Sequence, residues 1–195
     1  MHNNMKRLVL AMFMSVDGYI AGPNGEFIPP DWSDDLEKHW SGYALNRAGH
    51  LLYGRVNFLF NKEFWEPAAT DPNSPAAGVP HASIMNTLPK TVFSNSLSGN
   101  PGWNGALAQG SLADSVSALK NGPGTGDLFC FGGAGLSQSL VNADLVDEYR
   151  LMITPNLLGS GLRLFQPGFD RQKLKLLESK QLNTGGVVLH YERAR

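Results

Sequence analysis

The chain has 195 residues, 42% of them hydrophobic and 17% charged, with a formal net charge of −1. These are values of one globular domain with a sizeable core, and they argue against nucleic acid or an anionic membrane as the main partner. Cys130 is the single cysteine, which excludes an internal disulfide and a thiolate metal cage; no stretch approaches the roughly 20 apolar residues that cross a bilayer.

In chain order, Lys6-Arg7 followed by Leu8–Val16 imitates the start of a secretory signal. Asp17-Gly18 then reads as a turn, so Leu8 to Met14 is taken as a first strand buried on both faces. Ala21–Gly25 and Pro29-Pro30 predict a long loop. Ser33 is an N-cap candidate with Asp34, Asp35 and Glu37 in the first turn, and Leu36, Trp40, Tyr43 and Ala44 recur at helical spacing, which predicts a helix over Ser33–Arg47. His50–Tyr53 reads as a strand ended by Gly54, and Arg55–Phe64 as a second helix. The proline-rich segment 66–90 is expected to be an irregular insertion, either a lid or decoration.

Thr91–Ser94 predicts another strand, Asn100–Gly110 a loop, and Leu112, Val116 and Leu119 a helix that stops at Asn121–Gly124. Leu128–Phe131 is an apolar strand running into Gly132-Gly133-Ala134-Gly135, then a short helix to Ala143 and a strand over Leu145–Ile153. Cys130 inside that strand predicts a buried, inert thiol, in keeping with a reducing cytoplasm. Leu174–Lys180 and Gly186–Arg193 form a hairpin around Asn183–Gly186. The alternation predicts a single α/β domain over 1–195, with a mostly parallel sheet and an antiparallel C-terminal edge.

Several chemistries lack their motif. There is no Gly-x-Ser-x-Gly elbow and no Walker loop. His2, His39, His50, His81 and His190 show no metal spacing and read as solvated or core histidines, so no metal is expected. The cluster Gly132–Gly135 does not give the Rossmann fingerprint. A strand, glycines and a helix start present bare N–H groups to an anion, or they simply make a tight turn; both readings are open. Two more strand ends lead into polar turns: Tyr53-Gly54-Arg55, with a guanidinium suited to phosphate, and Phe93-Ser94-Asn95-Ser96.

Taken together, Leu10–Ala21 (LAMFMSVDGYIA), Leu52–Asn57 (LYGRVN), Lys90–Ser94 (KTVFS), Phe131–Gly135 (FGGAG) and Leu145–Phe165 (LVDEYRLMITPNLLGSGLRLF) resemble the dihydrofolate reductase-like superfamily. The branch is that of the reductase domain of riboflavin-biosynthesis deaminase/reductases, though nothing in the chain resembles the deaminase. The resemblance implies a three-layer α/β/α fold, NADPH as cofactor, a small-molecule substrate and a homodimer. It assigns the adenosine 2′-phosphate to Arg55 and the Ser94–Asn95–Ser96 turn, and the pyrophosphate to Gly132, Gly133, Ala134, Gly135 and Leu136. The nicotinamide falls to Ile20, with Phe13 and Ala21 beside it, and Gly54 starts the arginine turn. Asn57 stands where the family usually has threonine and can still donate a hydrogen bond.

Proton-relay candidates are Asp17 and the acids of the next helix start, Asp31 and Asp35 with Asp34 and Glu37. The alternatives are a cap on the Gly18 turn for Asp17 and helix-dipole charges for the others. Trp32 and Trp40 wall a pocket for a flat ring or belong to the core. The expected activity is NADPH-dependent hydride transfer to a heteroaromatic or carbonyl-containing compound, as in reductases of 5-amino-6-(5-phosphoribosylamino)uracil or dihydrofolate. The competing expectation is a nucleotide-binding module of the same fold without catalysis. The Leu145–Ile153 strand and the C-terminal hairpin are the expected dimer surfaces.

Overall fold

A computed structural model describes residues 5–194; His2 lies outside them. The first strand, β1 (Leu8–Ser15), has Leu8, Val9 and Leu10 fully buried, so it needs cover on both faces. Parallel neighbours flank it, β6 (Asp127–Phe131) on one side and β7 (Glu148–Thr154) on the other. Beyond β6 follow β3 (Ala48–Gly54), β4 (Lys90–Phe93) and β5 (Gly105–Leu107), all parallel. Beyond β7 the hairpin of β9 (Leu174–Gln181) and β10 (Val187–Arg193) adds antiparallel pairs, giving the order β5-β4-β3-β6-β1-β7-β10-β9. A separate ribbon pairs β2 (Tyr19–Ala21) with β8 (Leu162–Arg163).

Alternation along the strands divides the core between the two faces. Val9 and Ala11 of β1, with Leu51, Tyr53 and Phe129, pack against Leu36, Trp40, Ala44 and Phe58, which come from the helices between β2 and β4. Leu8, Leu10 and Met12, with Leu52, Leu128 and Cys130, pack against Val116 of α5 (Leu112–Asn121) and Leu136, Leu140 and Val141 of α6 (Ala134–Asn142). The result is the expected three-layer α/β/α domain.

Local differences from the sequence reading have physical causes. The helix expected over 33–47 is α1 (Asp34–Leu36), a π-helical stretch (Glu37–Gly42) and α2 (Tyr43–Arg47). Ser33 caps it as expected, its Oγ accepting the Leu36 N–H at 3.1 Å. The wider π turn lets the consecutive residues Trp40 and Ser41 both be buried, which a regular apolar spacing does not announce. Segment 66–90 is not irregular throughout. It holds a 3₁₀ turn (Glu66–Ala69) and α4 (Ala82–Thr87), a helix with no side-chain cap. Tertiary bonds hold α4: Asn86 Nδ2 donates to the Trp65 carbonyl at 2.9 Å, and Trp103 Nε1 donates to Asn86 Oδ1 at 2.6 Å. The short β5, inside the expected 100–110 loop, forms only because β4 offers it an edge.

Strand β7, expected to be a dimer surface, lies inside the sheet between β1 and β10 and has no free edge. The outer strand β9 does leave Leu174, Leu176 and Leu177 exposed. On the β7–β10 face Glu148 gathers His190 Nε2 at 2.7 Å and Arg47 Nη1 at 2.9 Å. Burial alone would raise the Glu148 carboxyl; the bonds from His190 and Arg47 outweigh it and hold the group at about 2.

Candidate functional site

Strands β3, β4 and β6 all end at one cleft of about 1690 Å³, and β1 floors it with Ala11, Met12 and Phe13. A site beyond the carboxyl ends of parallel strands is where α/β sheets place ligands. Pockets for drug-sized ligands span roughly 300–1,000 Å³, so this larger cleft has room for a large ligand and a second small one.

One half of the cleft is built from backbone. Gly54 ends β3 and starts α3 (Arg55–Trp65); Gly133 follows β6 and starts α6. Neither helix start carries a side-chain cap, whereas α1 and α5 are capped by Ser33 and Ser111. The free N–H groups of α3 and α6, and the positive ends of their dipoles, therefore open toward the cleft. Gly132 and Gly133 have φ of 74° and 84°, a region that disfavours other residues. A Cβ on Gly133 would lie 3.2 Å from Asn57 Cβ, while one on Gly135 would meet nothing within 4 Å. Asn57 donates its amide to the Phe131 carbonyl and so ties the α3 start to the end of β6. Leu136 closes the turn from below, 8% exposed. Arg55 is exposed at the rim, with no ion-pair partner among the described residues. Ser94 and Asn95 border the cleft after β4, and Ser94 Oγ shapes its turn by accepting the N–H groups of Ser96 at 3.1 Å and Leu97 at 3.0 Å.

The other half is aromatic. Phe13 stacks on Trp40 with ring centroids 4.7 Å apart, and Phe27, Trp32, Phe60, Phe64 and Trp65 continue the wall. Ile20 and Ala21, on the β2–β8 ribbon, also line the cleft. The structure thus brings the thirteen residues expected around a cofactor into one cleft, together with Trp32 and Trp40.

Asp17, Asp31 and Asp35 do not line the cleft, and Asp17 and Asp35 have structural partners. Asp17 accepts the Ser15 hydroxyl at 2.6 Å and the N–H groups of Leu158 at 3.1 Å and Gly159 at 2.8 Å. These bonds, that of Ser15 first, hold its carboxyl at about 2, so at neutral pH it is an anion with no proton to give. It clamps the turn before the β2–β8 ribbon to the loop after β7. Asp35 accepts the Asn183 N–H at 3.0 Å and faces His39 Nε2 at 3.5 Å, tying α1 to the C-terminal hairpin. Asp31 is exposed on the loop before α1 and does not line the cleft.

The histidines divide in the same way. His190 is buried against Glu148, and His50 pairs with the Thr91 hydroxyl at 2.8 Å; burial, then Lys6 and Lys90, push His50 down to about 4. Burial pushes the Cys130 thiol up to about 12, which keeps it protonated and inert. His81 alone among these borders the cleft, its Nδ1 2.9 Å from Glu37 Oε1. Sequence reasoning missed this pair because 44 residues separate the two members. The only signal was a Glu in the first helical turn and a His inside the proline-rich segment.

Comparison with known proteins adds the lineage. The model of the RibD C-terminal domain matches residues 6–188. The uncharacterized protein YyaP of Bacillus subtilis (strain 168) is 32% identical over 195 residues, 98% of each chain. Among solved structures, a putative riboflavin biosynthesis protein from Shewanella sp. PV-4 aligns with a TM-score of 0.70 and 22% identity over 98% of this chain and 100% of that one. A diaminohydroxyphosphoribosylaminopyrimidine deaminase/5-amino-6-(5-phosphoribosylamino)uracil reductase from Thermotoga maritima aligns at 0.68 and 15% identity, over 97% of this chain and 57% of its own. The sheet order, the glycine-capped cleft and the match over nearly the full length agree: the chain belongs to the RibD C-terminal domain family and has the dihydrofolate reductase-like fold.

Proposed function

We propose that the protein is an NADPH-dependent reductase of a small ring or carbonyl compound. The observation that carries this reading is the pair of uncapped helix starts, at Gly54 and Gly133, opening on one cleft with the unpaired Arg55 at its rim. Such a start stabilises phosphate through N–H bonds and the dipole. The fit to NADPH follows residue by residue. Gly132, Gly133, Ala134, Gly135 and Leu136 would hold the pyrophosphate, with Gly135 leaving space where a Cβ would stand. Arg55, Ser94 and Asn95 would hold the 2′-phosphate, and a guanidinium fork suits that group. Phe13, Ile20 and Ala21 would seat the nicotinamide, with Asn57 keeping the two helix starts in register.

Bound there, the cofactor supplies a hydride from its nicotinamide. The chain's own part is to orient that ring against the aromatic half of the cleft and to keep water out. Asp17 contributes by holding the turn that carries Ile20 and Ala21 against the 158–159 loop. The homodimer belongs to the same reading, with β9 as its surface through Leu174, Leu176 and Leu177. So does a cytoplasmic setting, which suits the lone reduced thiol; among the described residues no helix is long and apolar enough to cross a membrane.

Titration with NADPH, followed by energy transfer from the four tryptophans, tests the cofactor assignment. Saturable binding that is weaker for NADH and loses this preference in Arg55→Ala is the expected result. Absence of binding at millimolar cofactor sinks it. The position of Asp17, Asp31 and Asp35 outside the cleft lining favours a second reading, a nucleotide-binding module without turnover; NADPH binding with no oxidation across pterin, pyrimidine and quinone panels would select it.

A further inference from the structure

The aromatic half of the cleft has a chemistry of its own. Of its walls, Phe27 is 51% exposed, Trp32 55%, Phe60 56% and Phe64 38%, so these rings face the cavity and solvent instead of the core. Open aromatic surface around a cavity marks a place where another apolar surface docks. Positive charge is missing there. Among the described residues that line the cleft, Arg55 is the one lysine or arginine, and it stands on the phosphate side. Two cations close in sequence to lining residues are engaged elsewhere. Lys62 Nζ donates to the Pro101 carbonyl at 2.8 Å, and Arg163 donates to the Asp17 carbonyl at 3.3 Å and the Tyr19 hydroxyl at 3.1 Å. The charged group beside Phe27 is acidic: Glu26, whose carboxylate accepts the Asn24 N–H at 2.8 Å. A phosphate in this half would find apolar walls, no lysine or arginine and a carboxylate nearby, which opposes its binding.

One polar pair interrupts the aromatic wall. His81 has its Nδ1 on Glu37 and its ring 5.1 Å from the Trp65 ring, and its side chain is 12% exposed. Its Nε2 has no hydrogen-bond partner among the described residues. With Nδ1 held by a carboxylate, the imidazole cannot swing, and Nε2 is the atom left for a ligand.

We propose that this half takes a planar, phosphate-free ring compound, stacked among Trp40, Phe60 and Trp65 and met at a polar ring edge by His81 Nε2. The proposal rests on the reading of the other half as the NADPH site. Reduction of a C=N or C=O bond in such a ring adds a hydride at carbon and a proton at the heteroatom. The hydride comes from the reduced nicotinamide, which leaves oxidised. The proton comes from solvent water at the heteroatom, while Glu37 holds Nδ1 and keeps Nε2 on the ring edge.

The test is calorimetric titration of the protein, with and without NADP⁺, using ring pairs that differ only by phosphate: riboflavin against flavin mononucleotide, and pyridoxine against its 5′-phosphate. The phosphate-free member is expected to bind at least about tenfold more tightly. Equal or tighter binding of the phosphorylated members, or no binding of any ring, overturns the proposal. NADPH is titrated separately, so rings that bind where NADPH does not would leave the ring site standing and remove the cofactor reading. In His81→Gln the ring affinity is expected to fall about fivefold or more while NADPH affinity stays within about twofold, the latter reporting an intact fold. Unchanged ring affinity in His81→Gln, or in Glu37→Gln should the first variant not fold, removes His81 from the site.

Discussion

The two halves of the cleft are made of different material. The half around Gly54 and Gly133 is backbone: helix starts, left-handed glycines and one guanidinium, in a geometry that β3, β6 and their following helices impose. The half around Phe13, Trp40 and His81 is side chain, contributed by β1, the π-helical stretch, α3 and the residues before α4. Backbone sites recognise a shape that many ligands share, such as a pyrophosphate. Side-chain sites recognise one compound and change with each substitution. The difference teaches that cofactor and substrate are specified by separable parts of this chain, so each half should fail alone.

The largest effect is expected from Gly133→Val. A Cβ there falls 3.2 Å from Asn57 Cβ at a φ of 84°, so both strain and collision displace the start of α6. NADPH affinity should drop about a hundredfold or more, as a few kcal/mol of strain and lost N–H bonds imply, with ring binding at the other half much less affected. An equal loss at both halves would merge them into one unit. Next comes Arg55→Ala, expected to weaken NADPH about tenfold and NADH hardly at all, the loss of one charge-assisted phosphate contact. Comparative titrations of the two cofactors measure it.

A smaller effect is expected from Asp17→Ala, which releases the turn before Ile20 and Ala21 while leaving both halves chemically intact. Cofactor affinity should fall about threefold as three hydrogen bonds that hold the turn are lost from the free protein. Acid should act in the same direction. The folded-state carboxyls of Asp17 and Glu148 are depressed to about 2, so their contribution is present above their ordinary range near 4 and is lost as pH falls toward 2. Thermal unfolding between those two pH values should therefore show a falling midpoint, less steep in Asp17→Ala than in the wild type. The smallest change is that of Phe60→Leu, an exposed wall residue. Ring affinity should weaken about threefold, as for one lost aromatic contact, with NADPH affinity unchanged.

Much of the backbone half was legible in the sequence. A glycine directly after an apolar strand and before a helical pattern, at Gly54 and again at Gly132–Gly133, is a local signal, since only glycine tolerates the conformation and the missing Cβ. Asn57 and Arg55 lie within three residues of Gly54 and were found with it. The side-chain half was hardly legible. Trp32 and Trp40 stood out as aromatics, but helical spacing suits core and pocket alike, and Trp40 serves both. The acids stayed open between proton relay and structural roles for a related reason. Asp17 and Asp35 look like cleft groups by their distance from the first strand, yet their partners are Leu158, Gly159 and Asn183, more than 140 residues away.

By itself the sequence determined the mostly parallel sheet with its antiparallel edge and the two glycine turns, because periodicity and glycine conformation are local properties. Only the tertiary structure decided which carboxylates are clamps, that β7 is interior, and that Glu37 and His81 meet at the aromatic wall. Those are questions of which distant segments touch, and pairing across 44 or 140 residues leaves no periodic trace in the chain.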